Sequence, residues 1–352
     1  MSQPFAYLRL DRLPSPARDD RLLELPERMR TIGYDQQLAS SVAALSQGRV
    51  ALSALLRRTA GGEPAQLAYR LWLLARWLSP EQAARVFGPA LLERLLEWGL
   101  LAQVEGRIGA TVDLYPVGDD YLATDRQIGL GRRLEAVYPP GIDSFSLRWM
   151  LPTYQVGRAL DLCTGSGIQA LGLQASFTDA VDLSPRAVEY ARFNFALNQP
   201  SRSRAVHQGA LYDPLEGDPY DLIVSNPPFF SGGTFSNNQD RTSVRHTVKL
   251  PHGDLLHAVQ RLLHPNGRFC VILPYIEGLR FKELAESYML YPTRVQEIHG
   301  REGKPVERIL LQLEKERKPL VREPNLAIRA ASETEEWTPV YRQMTADFYL
   351  HF

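Results

Sequence analysis

The residues with the most evident chemistry lie in Asn226-Pro227-Pro228-Phe229, directly after the apolar run Asp221 to Val224. The Asn226 side-chain oxygen and the Pro227 backbone carbonyl can both accept hydrogen bonds from an NH2 group, which would turn its nitrogen lone pair toward an electrophile. Phe229 offers a ring face on which a planar base or amide can stack. The motif therefore predicts catalysis at a planar amino nitrogen, with Asn226, Pro227, Pro228 and Phe229 as its active residues.

A second candidate site lies upstream, where Ala159 to Leu171 has the pattern of a strand, a glycine loop and a helix. Asp161 stands before Gly165 and Gly167, whereas a dinucleotide loop would have G-x-G-x-x-G without an acid in front of it. A carboxylate there suits a cationic amine such as that of the methionine moiety of S-adenosylmethionine. Asp182 ends the next strand about 20 residues later, the interval at which an acid meets ribose hydroxyls in such folds. Together these features predict an S-adenosylmethionine site.

The elements that must position both sites form an alternating pattern from about Gly129 onward. Strands are predicted from length, flanking turns and β-forming residues, and helices lie between them, which is typical of an α/β fold with a parallel sheet. Thr293 to Ile298 and Val306 to Leu313 are joined by a loop too short for a crossover helix, so they predict a final antiparallel hairpin. The other predicted strands are Arg158 to Leu162, Ala180 to Leu183, Asp221 to Val224 and Phe269 to Leu273.

The amino-terminal part has a different pattern, and two domains are predicted: residues 1–128 and residues 129–352. Apolar residues at helical spacing from Ala65, then Ser79-Pro80-Glu81 and Pro89 to Trp98, predict three helices. The extended runs Leu100 to Val104 and Arg107 to Leu114 follow. Helices and then a hairpin are the order of a winged-helix-like module, which commonly binds nucleic acid or protein. A helical cap that only packs on the catalytic domain fits equally well.

The composition excludes several classes of protein. Lys and Arg together number 40, as do Asp and Glu, so no global basic field indicates nucleic acid and any RNA contact must be local. Cys163 and Cys270 form neither a metal-ligand spacing nor a disulfide framework, so no metal is expected. The chain shows no leader pattern and no apolar run of about 20 residues, so we expect a cytoplasmic protein without membrane contact.

The motifs from Asp161 to Gly167, at Asp182 and from Asn226 to Phe229 resemble, in this order, class I methyltransferases of the small N-methyltransferase group. The resemblance implies a Rossmann-like class I fold and methylation of an adenine, guanine or glutamine-amide nitrogen. This family usually has glycine where the chain has Cys163, and Gly209-Ala210-Leu211 lacks an acid that often meets the cofactor's adenine. The cofactor contacts it implies are Asp161, Cys163, Thr164, Gly165, Gly167, Asp182, Leu183, Ala210, Leu211 and Asn226.

A finer resemblance covers about Tyr138 to Phe352. Gly141-Ile142-Asp143-Ser144, Arg245-His246-Thr247, Gly267 to Pro274, Lys304-Pro305 and the terminal Asp347-Phe348-Tyr349-Leu350 are similar to bacterial tRNA adenine-N6 methyltransferases. The resemblance implies an RNA substrate, tRNA or rRNA, whose phosphates would meet nearby cations. The predicted substrate-binding residues are Phe229, Phe230, Arg241, Arg245, His246 and Lys304.

Three alternatives stay open. Asn-Pro-Pro-aromatic also suits methylation of a protein glutamine amide at N5, and small-molecule N-methylation is a third possibility. A cofactor-sensing winged-helix regulator without catalysis is the non-enzyme alternative, although a sensor would have no need for two acceptors beside the methyl group.

Overall fold

The computed structural model describes residues 20–35, 56–57, 59–126, 136–198, 203–228, 250–331 and 337–345. The helices are α1 (Glu24–Thr31), α2 (Pro64–Trp72), α3 (Pro80–Phe87), α4 (Pro89–Glu97), α5 (Ile142–Met150), α6 (Ile168–Gly172), α7 (Pro185–Leu197), α8 (His252–Leu262), α9 (Tyr275–Ala285) and α10 (Pro339–Met344). The strands are β1 (Leu101–Val104), β2 (Arg107–Ala110), β3 (Val112–Val117), β4 (Asp120–Asp125), β5 (Val156–Leu162), β6 (Ala175–Asp182), β7 (Ser203–Gln208), β8 (Tyr220–Ser225), β9 (Leu263–Pro274), β10 (Tyr291–Arg301), β11 (Val306–Glu314), β12 (Val321–Arg322) and β13 (Leu326–Arg329).

The chain divides into two compact units. Unit 1 comprises Met1–Pro139, Glu189–Ser201 and Thr345–Phe352, and unit 2 comprises Pro140–Val188 and Arg202–Met344. The sequence boundary between residues 128 and 129 thus lies about ten residues before the first change of unit. The assignment of residues 1–128 as a separate winged-helix-like domain stays a prediction.

The predicted helices of unit 1 are present, and their starts follow from local chemistry. Ser79 caps α3: its hydroxyl accepts from the Gln82 N–H at 3.2 Å, and the Gln82 side chain accepts from the Ser79 N–H at 2.9 Å. Pro80 occupies the first position of the helix, where its missing N–H removes no intrahelical bond. Gly88, at φ +74°, ends α3 and precedes Pro89 at the start of α4.

The hairpin after these helices confirms one prediction and corrects another. Strands β1 and β2 pair antiparallel through Glu105 and Gly106, both at positive φ as a type I′ turn requires. The predicted extended run from Arg107 to Leu114 is divided between two strands, because β2 ends at Ala110 and β3, from Val112, pairs with β4. Thr111 makes the break: its N–H donates to the Leu100 carbonyl at 3.0 Å, and its hydroxyl donates to the Gly99 carbonyl at 2.7 Å.

Side chains from the end of α7 and from Asn198, which follows the helix, cover β4 within unit 1. The Asn194 amide accepts from the Ala123 N–H and donates to the Ala123 carbonyl, at 2.8 and 2.9 Å. Asn198 does the same with Tyr121, at 2.7 and 2.6 Å. Helical residues four apart share one face, so these buried amides satisfy alternate residues of β4 as a neighbouring strand would.

The described part of unit 2 contains a nine-stranded sheet in the order β12-β10-β11-β9-β8-β5-β6-β7, with β13 also paired to β10. Strands β9, β8, β5, β6 and β7 run parallel, while β11 is antiparallel to both β9 and β10. The mostly parallel sheet and the antiparallel hairpin confirm those predictions. Strand β6 starts at Ala175 and stops at Asp182, so Leu183 follows the strand instead of belonging to it.

The core of unit 2 forms where α8 and α9 pack on the central strands. Leu160, Ile223 and Val271 from three neighbouring strands share one buried cluster with Leu256 of α8 and Phe281 of α9. Burial of such side chains stabilises the fold by about 1.5–3 kcal/mol each and holds the ends of these strands at fixed positions. No helix in the described part of the chain is both long and apolar enough to span a bilayer.

Candidate functional site

The two predicted motifs meet at the carboxyl edge of the parallel sheet. Strand β5 lies between β6 and β8, with Leu162 paired to Val181 on one side and to Ser225 on the other. The residues that follow these strands therefore emerge side by side at the edge where open α/β sheets bind ligands. The register thus brings the loop after β5, the acid at the end of β6 and Asn226 after β8 together.

The loop after β5 turns through left-handed backbone conformations. Cys163, Gly165 and Gly167 have φ of 62°, 57° and 84°. Glycine adopts such angles without steric cost, whereas a residue with a Cβ is disfavoured there by roughly 1–2 kcal/mol. The resemblance had placed Cys163 where glycine is usual, and the positive φ of Cys163 explains the family's preference.

Asp161 supports this loop from beneath and is almost completely buried, with 1% of its surface exposed. Its Oδ2 accepts hydrogen bonds from the Thr164 hydroxyl at 2.6 Å and the Ala170 N–H at 3.1 Å. Its Oδ1 is buried and has no hydrogen-bond partner among the described residues. Burial raises the pKa of Asp161 to about 7, against the opposing effect of the two hydrogen bonds. A buried acceptor with a free oxygen is suited to a cationic donor.

Asp182 connects the end of β6 to the same loop. Its Oδ2 accepts from the Gly165 N–H and its Oδ1 accepts from the Ser184 N–H, both at 2.9 Å. Burial raises the pKa of Asp182, although these backbone donors act in the opposite direction. Each oxygen retains a second lone-pair site that could receive a ribose hydroxyl. Leu183, the next residue, is 54% exposed and offers an apolar surface beside the carboxylate.

The loop after β7 contains the predicted adenine-contact residues Ala210 and Leu211. The Ala210 carbonyl already accepts from the Asp213 N–H at 3.0 Å, so its N–H is the more accessible group for a ligand. Leu211 has a φ of 51° and packs its side chain against the core cluster, so only its backbone could serve the cofactor. Both contacts stay predictions.

The transfer motif is described as far as Pro228. The Asn226 side chain is half-buried and forms no hydrogen bond with any described residue, while Pro227 is buried and Pro228 is exposed. Asn226 therefore presents a free amide at the end of β8. Phe229, Phe230, Arg241, Arg245 and His246 lie outside the described residues, and their roles stay predictions.

Ser225 is a contributor that the sequence reasoning missed. Its hydroxyl donates to the Leu162 carbonyl at 2.8 Å, which joins the end of β8 to the residue just before the cofactor loop. A polar residue closing an apolar strand was the only signal in the sequence. Cys163 lies nearby, and burial raises the pKa of its thiol so that it stays protonated; it is therefore unsuited to act as a nucleophile.

Lys304 lies at this same edge for a topological reason. Since β11 is antiparallel to both β9 and β10, the latter two strands run the same way, and the β10–β11 turn lies at the edge where β8 and β9 end. Lys304 is exposed in this turn, and its carbonyl accepts from His299 Nδ1 at 2.6 Å. Its role in substrate binding stays a prediction.

The residues present fit the predicted cofactor. The unpaired Asp161 Oδ1 matches an ammonium group, and a Cβ added at Gly165 would have no atom within 4 Å, so the space over the loop is open. The described part of the chain holds no group of three His, Cys, Asp or Glu side chains placed to bind a metal.

The chain is similar in sequence to known methyltransferases. The family model for the methyltransferase small domain matches residues 144–274. The tRNA1(Val) (adenine(37)-N6)-methyltransferase of Yersinia pseudotuberculosis serotype O:3 is 33% identical over 219 residues, which are 60% of this chain and 86% of that protein. The enzyme of the same name from Yersinia pestis strain Pestoides F is also 33% identical, with 87% of its length covered. Among solved structures, a predicted O-methyltransferase from Agrobacterium tumefaciens is 15% identical, with a TM-score of 0.45, over 60% of this chain and 98% of that one.

Proposed function

The chain belongs to the S-adenosylmethionine-dependent N-methyltransferase family of these relatives, and on that premise we propose that it methylates the amino nitrogen of an adenine in RNA. The observation that carries the proposal is the free Asn226 amide next to the cofactor loop. The family membership supports methyl transfer to nitrogen. The adenine and the RNA are our inference.

In this proposal, Asn226 and Pro227 orient the nucleophile. S-Adenosylmethionine supplies an electrophilic methyl group when bound. Asn226 Oδ1 and the Pro227 carbonyl would each accept a hydrogen bond from one N–H of the amino group. These two bonds would point the nitrogen lone pair at the methyl carbon. The nitrogen forms the new bond to carbon as the carbon–sulfur bond breaks, and it then releases one proton to water. No general base among the described residues is needed.

The preference for RNA rests on two points. Two relatives that the chain matches over most of their length are tRNA adenine methyltransferases by name. Lys304 supplies an exposed cation at the sheet edge, and Arg241, Arg245 and His246 are the further cations expected near the motif. The test below also distinguishes RNA from the two alternative substrates, a protein glutamine and a small molecule. Free thiols at Cys163 and Cys270 are compatible with the predicted cytoplasmic location.

The test is incubation with S-adenosylmethionine carrying a radiolabelled methyl group and separate pools of tRNA, rRNA and protein from a strain that lacks the enzyme. We expect label in one RNA pool, and N6-methyladenosine after digestion to nucleosides. Asn226→Ala is the matched catalytic control. Label in the protein pool would indicate that the substrate is a protein glutamine and not RNA. If the protein binds the cofactor but labels no pool, the remaining alternatives are methylation of a small molecule and a cofactor-sensing function without catalysis.

A further inference from the structure

A small cleft lies at the amino edge of the parallel sheet in unit 2, opposite to the edge that carries the transfer motif. Strand β5 runs from Val156, at the cleft, to Leu162, before the cofactor loop, and at about 3.3 Å per residue it separates the two places by roughly 20 Å. The cleft has a volume of about 230 Å³. We call it the amino-edge cleft, and its lining includes Pro152, Tyr154, Asp221, Leu222, Asn266 and Arg268.

Asp221 forms one wall of the amino-edge cleft, and the protein uses only one of its carboxylate oxygens. A Cβ added at Gly157 would lie 2.8 Å from Asp221 Oδ2, so the glycine lets the carboxylate approach the start of β5 closely. There Oδ2 accepts a hydrogen bond from the Arg158 N–H at 2.9 Å. Oδ1 has no partner among the described residues and is not buried. The cleft therefore contains a fixed acceptor that a ligand can reach.

Arg268 supplies hydrogen-bond donors to the same cleft. Its guanidinium carbon lies 5.6 Å from the centroid of the Tyr154 ring. Its Nε is 4.0 Å from Glu314 Oε1, which is too far for a hydrogen bond, because that oxygen already accepts from Thr293 at 2.9 Å and from Gln312 at 2.8 Å. The Arg268 side chain is 40% exposed and forms no hydrogen bond within the part of the chain that the structure describes. Its donors are thus available to a ligand.

The chemistry of the cleft suits a planar polar ring. Among the residues described, no ion pair joins Asp221 to Arg268, so the acceptor and the donors do not satisfy each other. The Tyr154 ring is 52% exposed and offers a stacking surface, while Pro152 and Leu222 add apolar contacts. Pockets that enclose drug-sized ligands measure about 300–1,000 Å³. The amino-edge cleft is smaller, so it has room for one ring system.

We propose that the amino-edge cleft binds a guanine base, which belongs either to an unpaired guanosine in RNA or to a free guanine nucleotide. Guanine carries N–H donors at N1 and N2 and acceptors at O6 and N7. Asp221 accepts from the donor edge, Arg268 donates to the acceptor edge, and the Tyr154 ring stacks on the base. Adenine has an acceptor at N1, which would face the carboxylate unfavourably. The guanine site is separate from the proposed methylation site and does not depend on the proposed function.

The test is isothermal titration calorimetry of the full-length protein with GMP, AMP, CMP and UMP in turn. Saturating S-adenosylhomocysteine occupies the cofactor site, so that no nucleotide can bind there. We expect GMP to bind about tenfold more tightly than AMP, which is the discrimination that a paired set of base contacts typically supplies.

Three variants of the cleft separate hydrogen bonding from stacking. Asp221→Asn keeps an oxygen for the Arg158 N–H but turns an amide NH2 toward the donors of guanine, so the preference for GMP over AMP should disappear. Arg268→Met keeps an apolar stem and should lower GMP affinity about tenfold. Tyr154→Ala should lower the affinity for all four nucleotides by about tenfold and leave their order unchanged.

Matched variants elsewhere in unit 2 control for charge and location. Asp254→Asn and Arg261→Met remove the same charges outside the cleft, and the Arg261 guanidinium also lies over a tyrosine ring, that of Tyr212, at 4.9 Å. Both should keep the wild-type preference for GMP. Asn226→Ala should also keep it, whereas a loss there would place the nucleotide at the transfer motif. Thermal unfolding identifies variants that fail to fold, and if Asp221→Asn is one of them, Arg268→Met decides the result.

Two fluorescently labelled RNA pentanucleotides, one with a central guanosine and one with a central adenosine between uridines, identify the source of the base. Tighter anisotropy-detected binding of the guanosine strand than of GMP, lost in Asp221→Asn, would indicate RNA; binding of GMP alone would indicate a free nucleotide. Equal affinities for GMP and AMP, no binding of either, or an unchanged preference in the cleft variants would overturn the guanine assignment. Each of these results can occur while the wild type methylates RNA, and guanine binding can persist if it does not, so the two proposals fail separately.

Discussion

Two parts of the carboxyl edge of the parallel sheet are built in different ways. We call the loop after β5 with Asp182 the cofactor end, and Ser225 with Asn226 the transfer end. At the cofactor end, the carboxylates are bonded to neighbouring groups: Asp161 accepts from Thr164 and from Ala170 of α6, and Asp182 accepts from Gly165 and Ser184. At the transfer end, Ser225 reaches the residue before the loop, while the next side chain, Asn226, has no bond to any described residue. The carboxylates of the cofactor end are bonded except at Asp161 Oδ1, whereas the transfer end leaves the whole Asn226 amide without a partner among the described residues.

This difference indicates a division of labour. A loop with satisfied hydrogen bonds is pre-ordered, so the cofactor meets a formed surface with one unpaired oxygen at Asp161. A free amide costs little where water can solvate it, and it contributes only when an amino group arrives. Changes at the cofactor end should therefore alter binding, and changes at the transfer end should alter rate.

The largest effect is expected at the transfer end. Asn226→Ala removes a pre-organised acceptor and should lower the methyl-transfer rate about 10²–10³-fold. Cofactor affinity, measured by calorimetry, should stay within a few fold, because Asn226 acts chiefly on the amino group in the transition state. Asn226→Asp is the control that retains acceptors and should keep more activity. If the alanine variant instead loses cofactor affinity, Asn226 chiefly lines the cofactor site. The role of orienting the amino group would then belong to the Pro227 carbonyl.

The next effect is expected at the cofactor end. Asp182→Ala should weaken S-adenosylmethionine binding by about 1.5–3 kcal/mol, the contribution of charge-assisted hydrogen bonds to the ribose. Calorimetry of the folded variant measures this loss. Asp213→Ala removes an exposed carboxylate from the loop after β7 and should leave affinity unchanged. Equal affinities for Asp182→Ala and wild type would remove Asp182 from the site.

A smaller effect is expected in the pH dependence of cofactor affinity, through the carboxyl group of Asp161. Its pKa near 7 means that the carboxyl becomes neutral as pH falls below that value, and a neutral group attracts an ammonium less. Cofactor affinity should therefore fall by up to about tenfold per pH unit below pH 7 and level off above it. Asp161→Asn should lose most of this dependence. An identical pH profile in the two proteins would exclude Asp161 as the ammonium partner.

The same carboxyl links pH to the stability of the ligand-free protein. Its pKa is raised from 3.8 to about 7 on folding, so the folded state holds a proton that the unfolded state has released between those values. The free energy of unfolding of the wild type, relative to Asp161→Asn, should therefore decrease as pH rises from about 4 to about 7. Urea unfolding at several pH values tests the sign, and an increase over that range would contradict the raised pKa.

The smallest effect concerns the backbone of the loop. Cys163→Gly removes the backbone strain of a residue with a Cβ at a φ of 62°. The free energy of unfolding should rise by at most about 1 kcal/mol, because the greater conformational freedom of glycine in the unfolded chain offsets part of the gain. Gly165→Ala introduces the reverse strain at φ 57° and should destabilise. Thermal unfolding compares them. If both variants lose stability equally, the positive φ angles do not determine how substitutions in this loop affect stability.

Short-range patterns in the sequence determined the parts of this protein that depend on neighbours along the chain. The strand, glycine loop and helix from Ala159 to Leu171, the cap at Ser79-Pro80 and the antiparallel pairing after Thr293 follow from backbone sterics and local hydrogen bonds. For the same reason, the spacing of Asp161 and Asp182 predicts one cofactor site, and the strand register places both residues at the same edge of the sheet.

Tertiary structure alone decided the features that join distant segments. The Asn194 and Asn198 amides bind β4 across 71 and 77 residues, and Ser225 binds Leu162 across 63. The burial that leaves Asp161 Oδ1 unpaired and raises its pKa depends on all the elements around it. No periodicity encodes such contacts, because their partners are set by strand order and by the closure of the chain around the core. The same holds for the bridge that joins Leu78, before α3, to Ile108 of β2.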